Sequence, residues 1–186
     1  KSGVSARLSI TAFENLVSTA ERRLLHSGDD KTGIRMSDFI GIIPAITGKI
    51  ELVYEGEQEG AYSVALTLLG SAIKTLYSKY FPKIEKLEKQ GVETPYDEIV
   101  SWFFNTSDDF EILDDIQEKD YKIILEKVKP LSNFIKKFKE DLQPNEVYFW
   151  QEFVLWSLVE YKKLNKYRYA EGIQFKDPYG SFISGL

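Results

Sequence analysis

The chain has 186 residues, enough for one domain or two small helical ones, and 43% of them are hydrophobic, enough to bury a core. Its net charge of −5 argues against a nucleic-acid surface, which needs a basic surplus. The absence of cysteine removes disulfides, thiolate catalysis and cysteine-ligated zinc, and it fits a reducing cytoplasm. No apolar stretch reaches the length of a spanning helix, so no membrane partner is expected. The chain opens at Lys1 in polar Ser-Gly text, as a piece cut from a longer polypeptide would.

The first helix is predicted from a capping box, Thr11 with Glu14, followed by Phe13, Leu16, Val17, Ala20 and Leu24 at helical spacing. Gly28 to Gly33 stops it in a polar turn. A second helix is expected from a Ser37 cap through Phe39, Ile40 and Ile43 toward Leu52, with Pro44 kinking it or splitting it in two. An acidic loop, Glu55 to Glu59, precedes a long helix over Ala61 to Tyr80. Its expected inward positions are Val64, Leu68, Ile73, Leu76 and Tyr77.

Gln90 to Pro95 reads as a joint between two halves, 1–90 and 91–186. Beyond it, Tyr96 to Asn105 is a short helix, and Thr106 to Asp115 is acidic and irregular. Asp120 to Asp141 is amphipathic with a break at Pro130, and Asn145 to Lys163 is a strong aromatic helix carrying Trp150, Phe153 and Trp156. The tail from Asn165 is expected to be extended or loop.

Chemistry-bearing motifs are sparse. A P-loop wraps phosphate in glycine amides before Lys and Ser/Thr. The only Gly-Lys pair, Gly48-Lys49, is followed by Ile50 and has Ile43 where the first glycine belongs. His26 is the only histidine and sits at a helix end, where terminal carbonyls are its expected company. Asp108, Asp109, Glu111, Asp114 and Asp115 lack the spacing and turn glycine of a calcium loop, so they read as a solvated acidic loop. Lys136, Lys137 and Lys139 read as a solvated helix face, and the Trp150, Phe153, Trp156 stripe as helix core. Arg7 differs because Gly3-Val4-Ser5-Ala6 holds it directly before the first helix. A guanidinium placed there can be aimed at a phosphate on a neighbouring domain.

Gly3-Val4-Ser5-Ala6-Arg7, with the helix ending in Glu21-Arg22-Arg23, resembles the start of the lid domain in MoxR-type and magnesium-chelatase-like AAA+ ATPases. Many relatives carry Pro where this chain has Ala6. The run from Ile43 to Gly60 is similar to a block of proteins resembling magnesium-chelatase subunit I. The resemblance covers about Ser2 to Pro82 and does not extend beyond Lys83.

The resemblance implies an AAA+ lid-type helical domain over 1–90. The residue patterns beyond it give an aromatic-rich helical extension with an irregular tail over 91–186, so an all-α fold is expected. It implies that Arg7 is the sensor-2 residue for the γ-phosphate of ATP. ATP and Mg²⁺ would then be held by an N-terminal core outside this chain, with no catalytic or metal-binding residue here. The implied partners are that core, other subunits of a ring, and a von Willebrand A-domain or other protein client. A helical adaptor that binds a protein partner without nucleotide is the second reading. A small enzyme with a carboxylate site near Asp108 to Asp115 is the third, and it requires a deep polar pocket there.

Overall fold

The computed structural model describes residues 7–49, 60–84, 93–107 and 109–178. The turn expected over Gly3 to Ala6, the end of the second helix toward Leu52, the acidic loop Glu55 to Glu59, and Asp108 lie outside them. No helix among the described residues is long and apolar enough to cross a membrane.

Helix α1 spans Leu8–Ser27 and starts one turn earlier than the Thr11–Glu14 box predicts. Thr11 lies inside the helix, and its hydroxyl donates to the Arg7 carbonyl at 3.2 Å. Leu8 is the reason for the early start. It packs on a small cluster of Ile43, Ile46 and Ala65, and that burial rewards one more helical turn. Gly28 ends the helix with φ 72°, the left-handed conformation that glycine adopts without penalty.

The expected second helix is split. A 3-10 helix spans Met36–Ile42 and α2 spans Ile43–Thr47, with Pro44 in the first turn of α2 where its missing N–H costs nothing. Asp38, rather than Ser37, caps the 3-10 helix by accepting the Arg35 backbone N–H at 2.8 Å. Helix α3 spans Ala61–Tyr80 and buries Ala65, Ile73 and Tyr77. Leu68 and Leu76, expected to point inward, are exposed. The buried row instead runs through Ala65, Leu69, Ile73 and Tyr77, each four residues from the last.

Helices α4 (Asp97–Asn105), α5 (Glu118–Lys127), α6 (Lys129–Phe138) and α7 (Glu146–Glu160) follow. Pro130 sits in the first turn of α6, so the break falls where the sequence places it. Helix α7 is buried continuously from Gln151 to Leu158 and forms the axis around which α3, α5, α6 and the 3-10 helix pack.

The fold is mostly helical but not all-α. Strands β1 (Phe110–Leu113), β2 (Asn165–Tyr169) and β3 (Gly172–Lys176) form an antiparallel sheet in the order β1-β3-β2. The acidic segment expected to be irregular contains β1. The tail, expected to be extended or loop, is extended over β2 and β3, which pair as a hairpin. Phe110 pairs with Phe175 and Ile112 with Ile173, so alternate residues of both strands turn one apolar face inward. Phe110 meets Phe103 of α4 edge-on at 5.3 Å, which seats the sheet on the helices. The largest hydrophobic cluster takes Met36, Ile73 and Tyr77 together with Phe103, Leu125, Trp156 and Phe175. This cluster draws residues from both sides of the stretch Gln90 to Pro95.

Candidate functional site

Arg7 is exposed and immediately precedes α1, and its carbonyl accepts the Thr11 N–H at 3.2 Å. The backbone that carries this guanidinium is therefore part of the first helical hydrogen bond. Arg7 thus stands at the positive end of the helix dipole.

Helix α1 is held in place near its other end by a buried ion pair. Arg23 Nε and Nη2 donate to the two oxygens of Asp38 at 3.0 and 2.7 Å, and Nη2 also donates to the Gly33 carbonyl at 2.7 Å. Arg35 lies 4.1 Å above the Tyr121 ring and donates to the Ile116 carbonyl and Glu118, each at 3.0 Å. Glu152 of α7 is fully buried and accepts from Met36 N at 2.9 Å, Ser37 N at 3.2 Å and the Tyr121 hydroxyl at 2.8 Å.

Burial pushes the Glu152 carboxyl up, against the pull of Tyr121, the Met36 amide and Arg35. Burial, followed by the charge of Glu152, pushes the Tyr121 hydroxyl well up. These groups face one another rather than solvent. They brace the 3-10 helix against α5 and α7, and with Arg23 they fix the direction in which α1 presents Arg7.

A polar cleft of about 400 Å³ opens between α1, the 3-10 helix and the sheet, lined in part by Arg22, His26, Asp114, Asp115 and Arg168. Its acids are already engaged. Arg168 Nη1 donates to Asp114 at 2.7 Å, with a second parallel bond from Nη2, and His26 Nδ1 lies 3.2 Å from Asp115. His26 thus reaches across to the strand end rather than to its own helix carbonyls. Asp109 accepts from Gln174 at 2.7 Å. Among the described residues, no group of three or more histidines or acids converges in a way that would hold a metal. The carboxylate-enzyme reading requires a deep polar pocket with convergent acids, and in this cleft Asp114 and Asp115 stand instead as partners of Arg168 and His26.

Trp156 and Phe153 are buried in the core, and Trp150 packs edge-on to Tyr80 at 5.1 Å. No protein-family model, curated protein or solved structure matches the chain.

Sequence reasoning assigns no buried role to Arg23, Arg35 or Glu152, although two of them leave a signal. Arg23 falls on the same side of α1 as Ala20, where a charge needs a buried partner. Glu152 is the only charged residue between Glu146 and Glu160, and it has no polar face on which to escape. Arg35 lies in a turn and left no such mark.

Proposed function

We propose that this chain is the lid-bearing C-terminal part of a cytoplasmic, magnesium-chelatase-like or MoxR-type AAA+ ATPase. It couples ATP binding and hydrolysis in an N-terminal core to remodelling of a protein client. The observation that carries this reading is the placement of Arg7: exposed, at the first hydrogen bond of a 20-residue helix that is locked to the body by Arg23 and Asp38.

In this reading Arg7 closes on the γ-phosphate of Mg²⁺-bound ATP and lets go after hydrolysis. A charge–phosphate contact of a few kcal/mol, present in one state and absent in the other, is enough to bias two lid orientations. Because α1 and the 3-10 helix are tied to α7, movement of the lid would carry the aromatic half with it toward a neighbouring subunit or a von Willebrand A-domain client. Ile10 and Phe13, 61% and 67% exposed, lie within two turns of Arg7 and leave that part of α1 open to a core.

The test is Arg7→Ala in the full-length parent polypeptide. ATPase turnover is expected to fall at least tenfold, roughly the loss of one transition-state contact, with the circular dichroism spectrum unchanged. Normal turnover would sink the sensor role and leave the nucleotide-independent adaptor as the better reading.

A further inference from the structure

Between the 3-10 helix, α3 and α7 lies a cavity of about 110 Å³ whose wall is wholly apolar, with Met36, Ile73, Phe153, Tyr80 and Trp150 among its residues. Water gains no hydrogen bond from such a wall, and apolar cavities of about 150 Å³ take up a molecule the size of benzene. This pit is smaller, which favours a short branched alkyl group over a ring.

Two rings of the wall carry a cation. Lys139 places its ammonium 3.8 Å from the centre of the Tyr80 ring and 3.9 Å from that of Trp150. Burial against them lowers the Lys139 pKa, and Glu146, the acid that acts on it from α7, pulls it back up. A cation held on aromatic rings beside an apolar pit is complementary to an anion carrying an apolar tail.

We propose that this pit binds a short branched-chain carboxylate, its alkyl end among Met36, Ile73 and Phe153 and its carboxylate paired with Lys139. Burying the alkyl group supplies most of the affinity, and the charge contact, in competition with Glu146, supplies selectivity. The expected dissociation constant is on the order of a millimolar. The site is independent of Arg7 and of any nucleotide.

Met36 is the only methionine and lines the pit, so its isotope-labelled methyl group is a single NMR reporter for this cavity. The protein is titrated with isovalerate and, separately, with isoamyl alcohol, which keeps the branched chain without the charge. Isovalerate is expected to shift the Met36 methyl saturably and to bind roughly fivefold tighter than the alcohol. Lys139→Gln should bring isovalerate down to the affinity of the alcohol. Ala72→Leu, a substitution at an exposed position of α3 that fills the pit, should abolish both. A Met36 methyl that stays put up to roughly 100 mM isovalerate overturns the site. Equal affinity for acid and alcohol, or binding untouched by Lys139→Gln, overturns the carboxylate assignment.

Discussion

Arg23 and Asp38 meet through a two-point ion pair with side chains only 4% and 3% exposed, joining α1 to the 3-10 helix that follows it. An arginine fork matched to a carboxylate is the geometry in which a buried pair recovers most of its desolvation cost. Removing one member leaves the other charged, buried and unsatisfied. Arg23→Ala is therefore expected to lower the unfolding free energy by about 3 kcal/mol in urea titrations. Arg23→Met combined with Asp38→Leu should cost clearly less than the sum of the single changes, because no orphan charge remains. A loss near zero for Arg23→Ala would mean that α1 is held by its apolar contacts alone.

Glu152 supplies a pH dependence whose sign follows from its burial. Its carboxyl is held above the ordinary value of 4.5, so the folded chain binds this proton more tightly than the unfolded one. Its contribution is most favourable below the unfolded value and is lost as pH rises through the folded one. Glu152→Gln removes that titration while keeping the shape. The stability of the native protein minus that of Glu152→Gln should fall steadily as pH is raised from about 4.5 toward neutrality. A flat difference would mean that the three donors around Glu152 balance its desolvation, and one that grows with pH that they outweigh it.

The helices were largely legible because their signals are local. Pro44 and Pro130 mark real breaks, and the aromatic run over α7 is a helix with bounds close to those predicted. The sheet was not, because its strands are only four or five residues long. Phe110 and Ile112 gain a partner face only when Ile173 and Phe175 arrive from some sixty residues away. An alternation that short is indistinguishable from loop until the pairing exists. For the same reason Leu68 and Leu76 misled. Helical spacing shows that α3 has an apolar face, while the position of α7 decides which row of α3 is covered. Arg7 was legible as a residue. The brace behind it was not, because Glu152 and Met36 are 116 positions apart in sequence.

Gly172 sits where β3 crosses closest to β1. A methyl group added there would lie 2.6 Å from the Ile112 carbonyl oxygen and 3.0 Å from the Leu113 Cα, both of them backbone atoms that cannot rotate away. Gly172→Ala is expected to cost about 1–3 kcal/mol by forcing the strand pair apart. Gly48 provides the control, since nothing lies within 4 Å of a methyl group there and its φ is −79°. Gly48→Ala should change stability by less than about 0.5 kcal/mol. Equal thermal shifts for the two variants would contradict the β1–β3 register.

Lys166 provides the last test, at alkaline pH. Its ammonium lies 3.4 Å from the centre of the Trp156 ring, half-buried at the start of β2. Burial pushes its pKa down from 10.5 to about 8, with Glu160 opposing the shift. The folded chain holds this proton less tightly than the unfolded one, so the charged lysine destabilises the fold at neutral pH. That penalty is full below about 8 and disappears as pH rises to 10.5. Attraction between the ammonium and the Trp156 ring offsets part of it, leaving a net cost of about 1 kcal/mol. Lys166→Met keeps the length of the side chain without the charge, and it should stabilise the protein by about that amount at neutral pH. The advantage should shrink toward zero as pH approaches 10.5, because the native lysine is by then neutral in both states. Paired urea titrations of native protein and variant at the two ends of this range read the difference directly. A variant less stable than the native protein at neutral pH would show that the ring contact outweighs the desolvation of Lys166.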